Sequence, residues 1–103
     1  MTYSFEVPPN QIAAEKKHFL AAIYKLLPYK ESAYEYLDNY FNSVLQQLEG
    51  FNKISGFQPE VLTIMSLLAY AREEDDFKKY RKAILDACGM MERIKESGAV
   101  VSD

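Results

Sequence analysis

Apolar residues recur along most of this chain at helical spacing, in four blocks separated by proline, glycine or runs of acid. The first nine residues differ. Tyr3, Phe5 and Val7 alternate with polar positions and lead into Pro8-Pro9, which favours extended backbone, so residues 1–9 read as an N-terminal arm. From Asn10, read as an N-cap, the residues Ile12, Phe19, Ile23, Leu26 and Leu27 form one stripe, with Glu15, Lys16, Lys17 and Lys25 largely off it. Pro28 is expected to end that helix. A second helix is expected near Ser32, where Ser32-Ala33-Tyr34-Glu35 has the S-x-x-E form of a capping box. Its inner face would be Ala33, Leu37, Tyr40, Phe41, Val44, Leu45 and Leu48, with Gly50 as the stop.

The segment 51–58 carries Phe51, Ile54 and Phe57, which are expected to close one end of the core. Pro59 and Glu60 suit the first turn of a third helix, because proline presets φ and an acid favours the positive end of the dipole. Leu62, Met65, Leu68, Ala69 and Arg72 trace one side of it, and Val61, Ile64 and Leu67 widen the apolar face, so this helix is expected to be the most buried. The acidic run 73–76 opens a fourth helix carrying Phe77, Tyr80, Ile84, Ala87, Cys88, Met91 and Ile94, and Gly98 suggests its end. Four helices of about 15 to 20 residues joined by short connections predict an all-α, antiparallel up-and-down four-helix bundle over residues 10–98. Residues 99–103 read as a short C-terminal tail.

Composition narrows the functional classes. The 103 residues are 49% hydrophobic and 26% charged, ordinary usage for one globular domain. A single cysteine, Cys88, excludes an intramolecular disulfide and a multi-cysteine metal site, which suits a reducing cytoplasm. No uninterrupted apolar run approaches the roughly 18 to 20 residues of a membrane span, and the N-terminus lacks a basic region followed by an apolar one. A net charge of -3 argues against a general nucleic-acid binder, which needs basic excess to displace counterions.

Each candidate chemistry has a plainer reading beside it. Glu15 and His18 have the E-x-x-H spacing of di-iron bundles, but that chemistry needs a second such pair, and His18 is the only histidine. A bundle metalloprotein would need two chains to bring His18 and acids together. Cys88 falls on the core face of the fourth helix, where a thiol acts as a small hydrophobe. The cluster Lys78-Lys79-Tyr80-Arg81-Lys82 could grip phosphate or anionic lipid, yet Glu74 and Asp75 precede Lys78 and Lys79 by four residues and would neutralise them on a solvated face. No Gly-rich phosphate loop, H-E-x-x-H or G-x-S-x-G is present, so no enzyme, metal or cofactor is expected.

Eight tyrosines and no tryptophan form the sharpest compositional bias. Tyr40 reads as core. Tyr34 and Tyr36 point off the Leu37/Phe41 stripe, and from Glu31 to Glu49 there are four acids and no base, an acidic aromatic face that suits a protein partner. Met90, beside Met91 and Ile94, reads either as part of an adaptable apolar patch or as an ordinary exposed residue.

The stretch Pro59 to Ile94, with Leu62, Leu68 and Ala69 leading through an acidic turn to Phe77, Tyr80, Ile84 and Met91, resembles the second half of the enterocin A-type (pediocin-like) bacteriocin immunity proteins. The resemblance implies a cytosolic antiparallel four-helix bundle that protects a cell by binding the membrane receptor complex a bacteriocin has engaged. It also implies that exposed positions late in the fourth helix, here Met90, Arg93 and Lys95, set which peptide is countered. The other reading of the residues is a helical interaction module, a phage or regulatory adaptor that self-associates through its tyrosine-rich face.

Overall fold

A proline inside a helix disturbs the carbonyl four residues earlier, because it brings no N–H and its ring crowds that oxygen. The computed structural model describes residues 5–6, 9–95 and 100–101, and it shows this effect in the first helical stretch. Helix α1 runs Pro9–Tyr24 and α2 runs Leu26–Glu31. Pro28 does not end the helix; it lies in the first turn of α2, and the break falls upstream at Lys25. Lys25 keeps helical angles, φ -62° and ψ -20°, donates to the Ala21 carbonyl at 3.2 Å and accepts from the Tyr29 N–H at 3.1 Å. Helical backbone bonding therefore continues through Lys25 from α1 into α2. Pro9 takes the first helical position, which places Asn10 inside α1 rather than at its cap.

The expected capping box does not form. Ser32 is the C-cap of α2 and its hydroxyl turns back to the Tyr29 carbonyl at 3.4 Å. Ala33 adopts φ 53°, its N–H donates to Lys30 at 3.2 Å, and the Tyr34 N–H donates to Tyr29 at 2.9 Å. Those two bonds are the Schellman closure of a helix, so the serine was needed to finish one helix and could not begin the next. Helix α3 starts later, at Leu37, and runs Leu37–Ile54. Gly50 lies within it and does not stop it. The same closure recurs after Ser55, with Gly56 at φ 88° and the Phe57 N–H donating to Asn52 at 2.8 Å.

Helix α4, Pro59–Arg72, begins with its proline as expected, and α5, Phe77–Glu92, begins on Asp76, whose carboxylate accepts the Lys78 N–H at 3.0 Å. Helix α5 packs on α4 and α1, while α3 packs on α4 and α1. The core joins Ile12, Phe19, Ile23 and Leu26 to Phe41, Leu48, Phe51, Ile64, Leu68, Tyr80, Ile84 and Met91. Beside this all-helical body, β1 (Phe5–Glu6) pairs antiparallel with β2 (Val100–Val101), Phe5 opposite Val101. Tyr3, Val7 and Gly98 lie outside the described residues.

Helix α4 is less enclosed than expected. Val61, Ile64, Leu68 and Ala71 face the core, but Leu62 is 57% exposed, Tyr70 49%, and Ala69 is also exposed. Apolar residues occupy both sides of this helix, so their spacing alone could not select the buried one. Phe57 is 66% exposed and does not close the core, a task done by the buried Phe51 and the half-buried Ile54.

Candidate functional site

The early end of α3 and the turn before it gather aromatic rings at the surface. The left-handed Ala33 reverses the chain so that Tyr34 returns over α2, where its ring stacks on Tyr29 with centroids 4.6 Å apart. Tyr36 meets Tyr34 edge to face at 5.9 Å, and Tyr40 meets Tyr29 at 5.1 Å. Tyr40 is half-buried and donates its hydroxyl to the Ala22 carbonyl at 2.7 Å; burial, helped by Tyr29, raises its pKa. Tyr34 and Tyr36 remain 40% and 55% exposed, and Glu31, Glu35 and Asp38 around them are exposed acids. The sequence pointed to Tyr34 and Tyr36. Tyr29, which the sequence groups with Tyr34, Tyr36 and Tyr40 on one helix, lies instead on α2, and the turn brings Tyr34 over it.

The candidates Met90, Arg93 and Lys95 lie at the other end of α5. Met90 is half-buried beside Thr63, Leu67 and Leu85, while Arg93, the C-cap, and Lys95 are exposed. Lys95 has its backbone held by Gln58, which accepts the Lys95 N–H at 2.9 Å and donates to the Lys95 carbonyl at 3.0 Å. Tyr80, whose hydroxyl reaches α2, and Met90 are separated by about 15 Å along α5 at 1.5 Å per residue. The tyrosines and the late α5 residues are therefore two surfaces and not one site.

Lys16 is a correction to the sequence reading. It was placed off the apolar stripe, yet it is 9% exposed and its ammonium donates to the carbonyls of Ile94 at 2.8 Å and Glu92 at 3.2 Å. A cation on the last carbonyls of a helix meets both their open hydrogen-bonding capacity and the negative end of the dipole. The signal was present, since Lys16 falls four residues after Ile12 and three before Phe19, inside the stripe.

The remaining candidates take structural places. His18 is exposed and its Nε2 lies 3.0 Å from Gln47 Oε1; among the described residues no three or more His, Cys, Asp or Glu side chains come together as a metal site. Cys88 is buried, and burial, with Glu92 nearby, pushes its thiol up to about 11. Tyr80 does not interleave with the surface lysines, because it is fully buried and donates to the Leu26 carbonyl at 2.6 Å. Burial raises its pKa well above the ordinary tyrosine value. Glu74 and Asp75 precede α5 instead of lying on it, so they do not form the expected helical pairs. The Glu74 carboxylate accepts from the Asp76 N–H and the Tyr70 hydroxyl, which lower its pKa. Lys82 pairs with Asp86 at 2.9 Å.

No family model matches this chain, and no curated protein or solved structure shows significant similarity to it.

Proposed function

We propose that this protein is a non-enzymatic helical module that binds a protein partner through the tyrosine cluster at the start of α3. The observation that carries the reading is the pair of exposed rings, Tyr34 stacked on Tyr29 and Tyr36 edge to face with Tyr34, already in contact before any partner arrives. A preordered aromatic surface loses little side-chain freedom on binding, and tyrosine supplies both apolar area and a hydroxyl. Its acidic surround favours a partner with a basic face. The architecture in this proposal is an antiparallel up-and-down four-helix bundle in which α1 and α2 count as one broken helix. The Gln58–Lys95 contact supports opposite courses for α4 and α5, since it joins the start of one to the end of the other.

The cellular role we propose is bacteriocin immunity in the cytoplasm, by binding a peptide-engaged membrane receptor complex at its cytoplasmic face. It rests on the helix phasing of Pro59 to Ile94. No helix among the described residues is long and apolar enough to cross a membrane, which is compatible with action from the cytoplasmic side. The test is survival of a bacteriocin-sensitive strain expressing the protein, against a panel of pediocin-like peptides and beside an empty-vector control. Protection lost on Tyr34→Ser/Tyr36→Ser assigns the tyrosine face. Protection lost on substitution of Met90, Arg93 and Lys95 assigns the end of α5 instead. No protection by folded, expressed protein refutes the immunity role and leaves the interaction module, to be tested by pull-down with the same variants.

A further inference from the structure

Helix α4 carries charge only at Glu60 and Arg72 among its 14 residues, yet a long side of it faces solvent. A helix that is apolar around most of its circumference is ordinarily enclosed. On the open side, α4 and α3 form a groove of about 680 Å³ whose floor includes Leu45, Leu62, Met65 and Ala69. Asn42, Gln46 and Ser66 give this floor polar but uncharged borders. Charge returns only at its ends, with Asp38 against Arg72 at 3.7 Å at one and Glu49 with Lys53 at the other.

We propose that a second copy of this chain covers the groove, the two α4 helices crossing in opposite directions about a two-fold axis between Met65 and Ser66. Such an axis sets Leu62 against the second copy's Ala69 and Met65 against its Ser66, so that each large side chain meets a small one. It also lays the Glu49/Lys53 end of one copy over the Asp38/Arg72 end of the other, where acid can meet base in both directions. A face that is uncharged at its centre and carries one acid and one base at each end complements itself. A strongly basic or acidic partner has nothing to answer there. Phe57, held at φ 58° and 66% exposed, stands at the Lys53 end and extends the contact. The tyrosine rings are not part of this face and stay open in the dimer; Asp38 alone borders both surfaces.

The test is sedimentation of the full chain from low micromolar to near-millimolar concentration, with circular dichroism to show that each variant keeps its helix. Wild type is expected to move from monomer to dimer over this range. Leu62→Lys and Ala69→Glu, both exposed positions, are each expected to remain monomeric where wild type is dimeric. Joined in one chain, Leu62→Lys/Ala69→Glu restores the dimer, because the two-fold register brings each new cation to a new anion. Tyr34→Ser/Tyr36→Ser leaves it unchanged. A wild type that stays monomeric throughout overturns the proposal, as does a dimer indifferent to Leu62→Lys and Ala69→Glu, or one lost with the tyrosine pair. Failure of the double variant to restore association overturns the register.

Discussion

Replacing Tyr80 by phenylalanine removes one oxygen from the centre of the molecule and leaves its ring contacts in place. The ring meets Phe41 edge to face at 6.2 Å and stacks with Phe77 at 6.0 Å, and the Lys30 ammonium lies 5.1 Å from its centroid. A phenylalanine ring serves all three. What disappears is the 2.6 Å bond to the Leu26 carbonyl, made where both groups are shut away from water. A buried neutral hydrogen bond contributes about 1 kcal/mol net, and an acceptor left short of a donor raises the loss toward about 2 kcal/mol. For a chain of this size that is a drop in melting temperature of roughly 4 to 8 °C per kcal/mol, measured by urea and thermal unfolding at pH 7. The same variant changes the alkaline limb. Tyr80 has a folded pKa above its ordinary 10.0, so the stability it confers by keeping its proton is complete below pH 10 and declines above it. Cys88 begins sooner: its thiol rises from 9.0 to about 11, so its contribution is complete below pH 9 and is lost across pH 9 to 11. Two units at 1.4 kcal/mol each set its ceiling near about 3 kcal/mol. Tyr80→Phe should therefore keep the decline that starts at pH 9 and lose part of the steeper one above pH 10, with Tyr40 supplying some of what remains. Equal stability at pH 7 together with an unchanged alkaline limb would refute the role given to this hydroxyl.

Ala33→Gly should stabilise the protein by about 1 kcal/mol, because Ala33 sits at φ 53°, where a Cβ is strained and glycine is not; a lower denaturation midpoint counts against the Schellman closure after α2. Lys16→Met keeps the length of the side chain but withdraws the donors from the Glu92 and Ile94 carbonyls, and should cost about 2 to 4 kcal/mol at neutral pH in urea unfolding. Leu68→Ala should cost about 2 to 5 kcal/mol, while Leu62→Ala, measured at low protein concentration, should cost under about 0.5 kcal/mol. Equal effects from these two leucines would mean that the inner and outer sides of α4 have been confused.

The parts of the fold that were readable in advance are those where one residue has one physical use. Pro59 can only open a helix there, Asp76 caps the next with its carboxylate, and the α5 stripe from Tyr80 to Met91 has a single apolar side. Misreadings arose where a residue serves two uses equally well. Ser32 can begin a helix or end one, and the choice depends on whether the chain reverses at Ala33, which no side chain announces. Pro28 can stop a helix or sit in the first turn of the next. Leu62 and Leu68 are identical in composition and opposite in exposure because α4 has apolar residues on both sides. At the candidate site, Tyr34 and Tyr36 were visible by helical spacing off the core stripe, although neither lies within α3. Their stacking on Tyr29 was not, since it depends on that same reversal. Lys16 reads as largely off the apolar stripe beside its charged neighbours, although its own spacing from Ile12 and Phe19 puts it within the stripe.

The side chain of Gln58 joins the entrance of α4 to the exit of α5 across 37 residues, and only the four residues 73–76 separate the two helices at the other end. The segment from Gln58 to Lys95 is thus a closed unit of local sequence with its largest contact inside itself. Little chain entropy is lost in forming it, so it should condense first, and the N-terminal half of the molecule should add to it. In hydrogen exchange, the slowest amides should then lie in α4 and α5, and a fluctuation that loosens α2 or the turn at Ala33 should leave that pair intact.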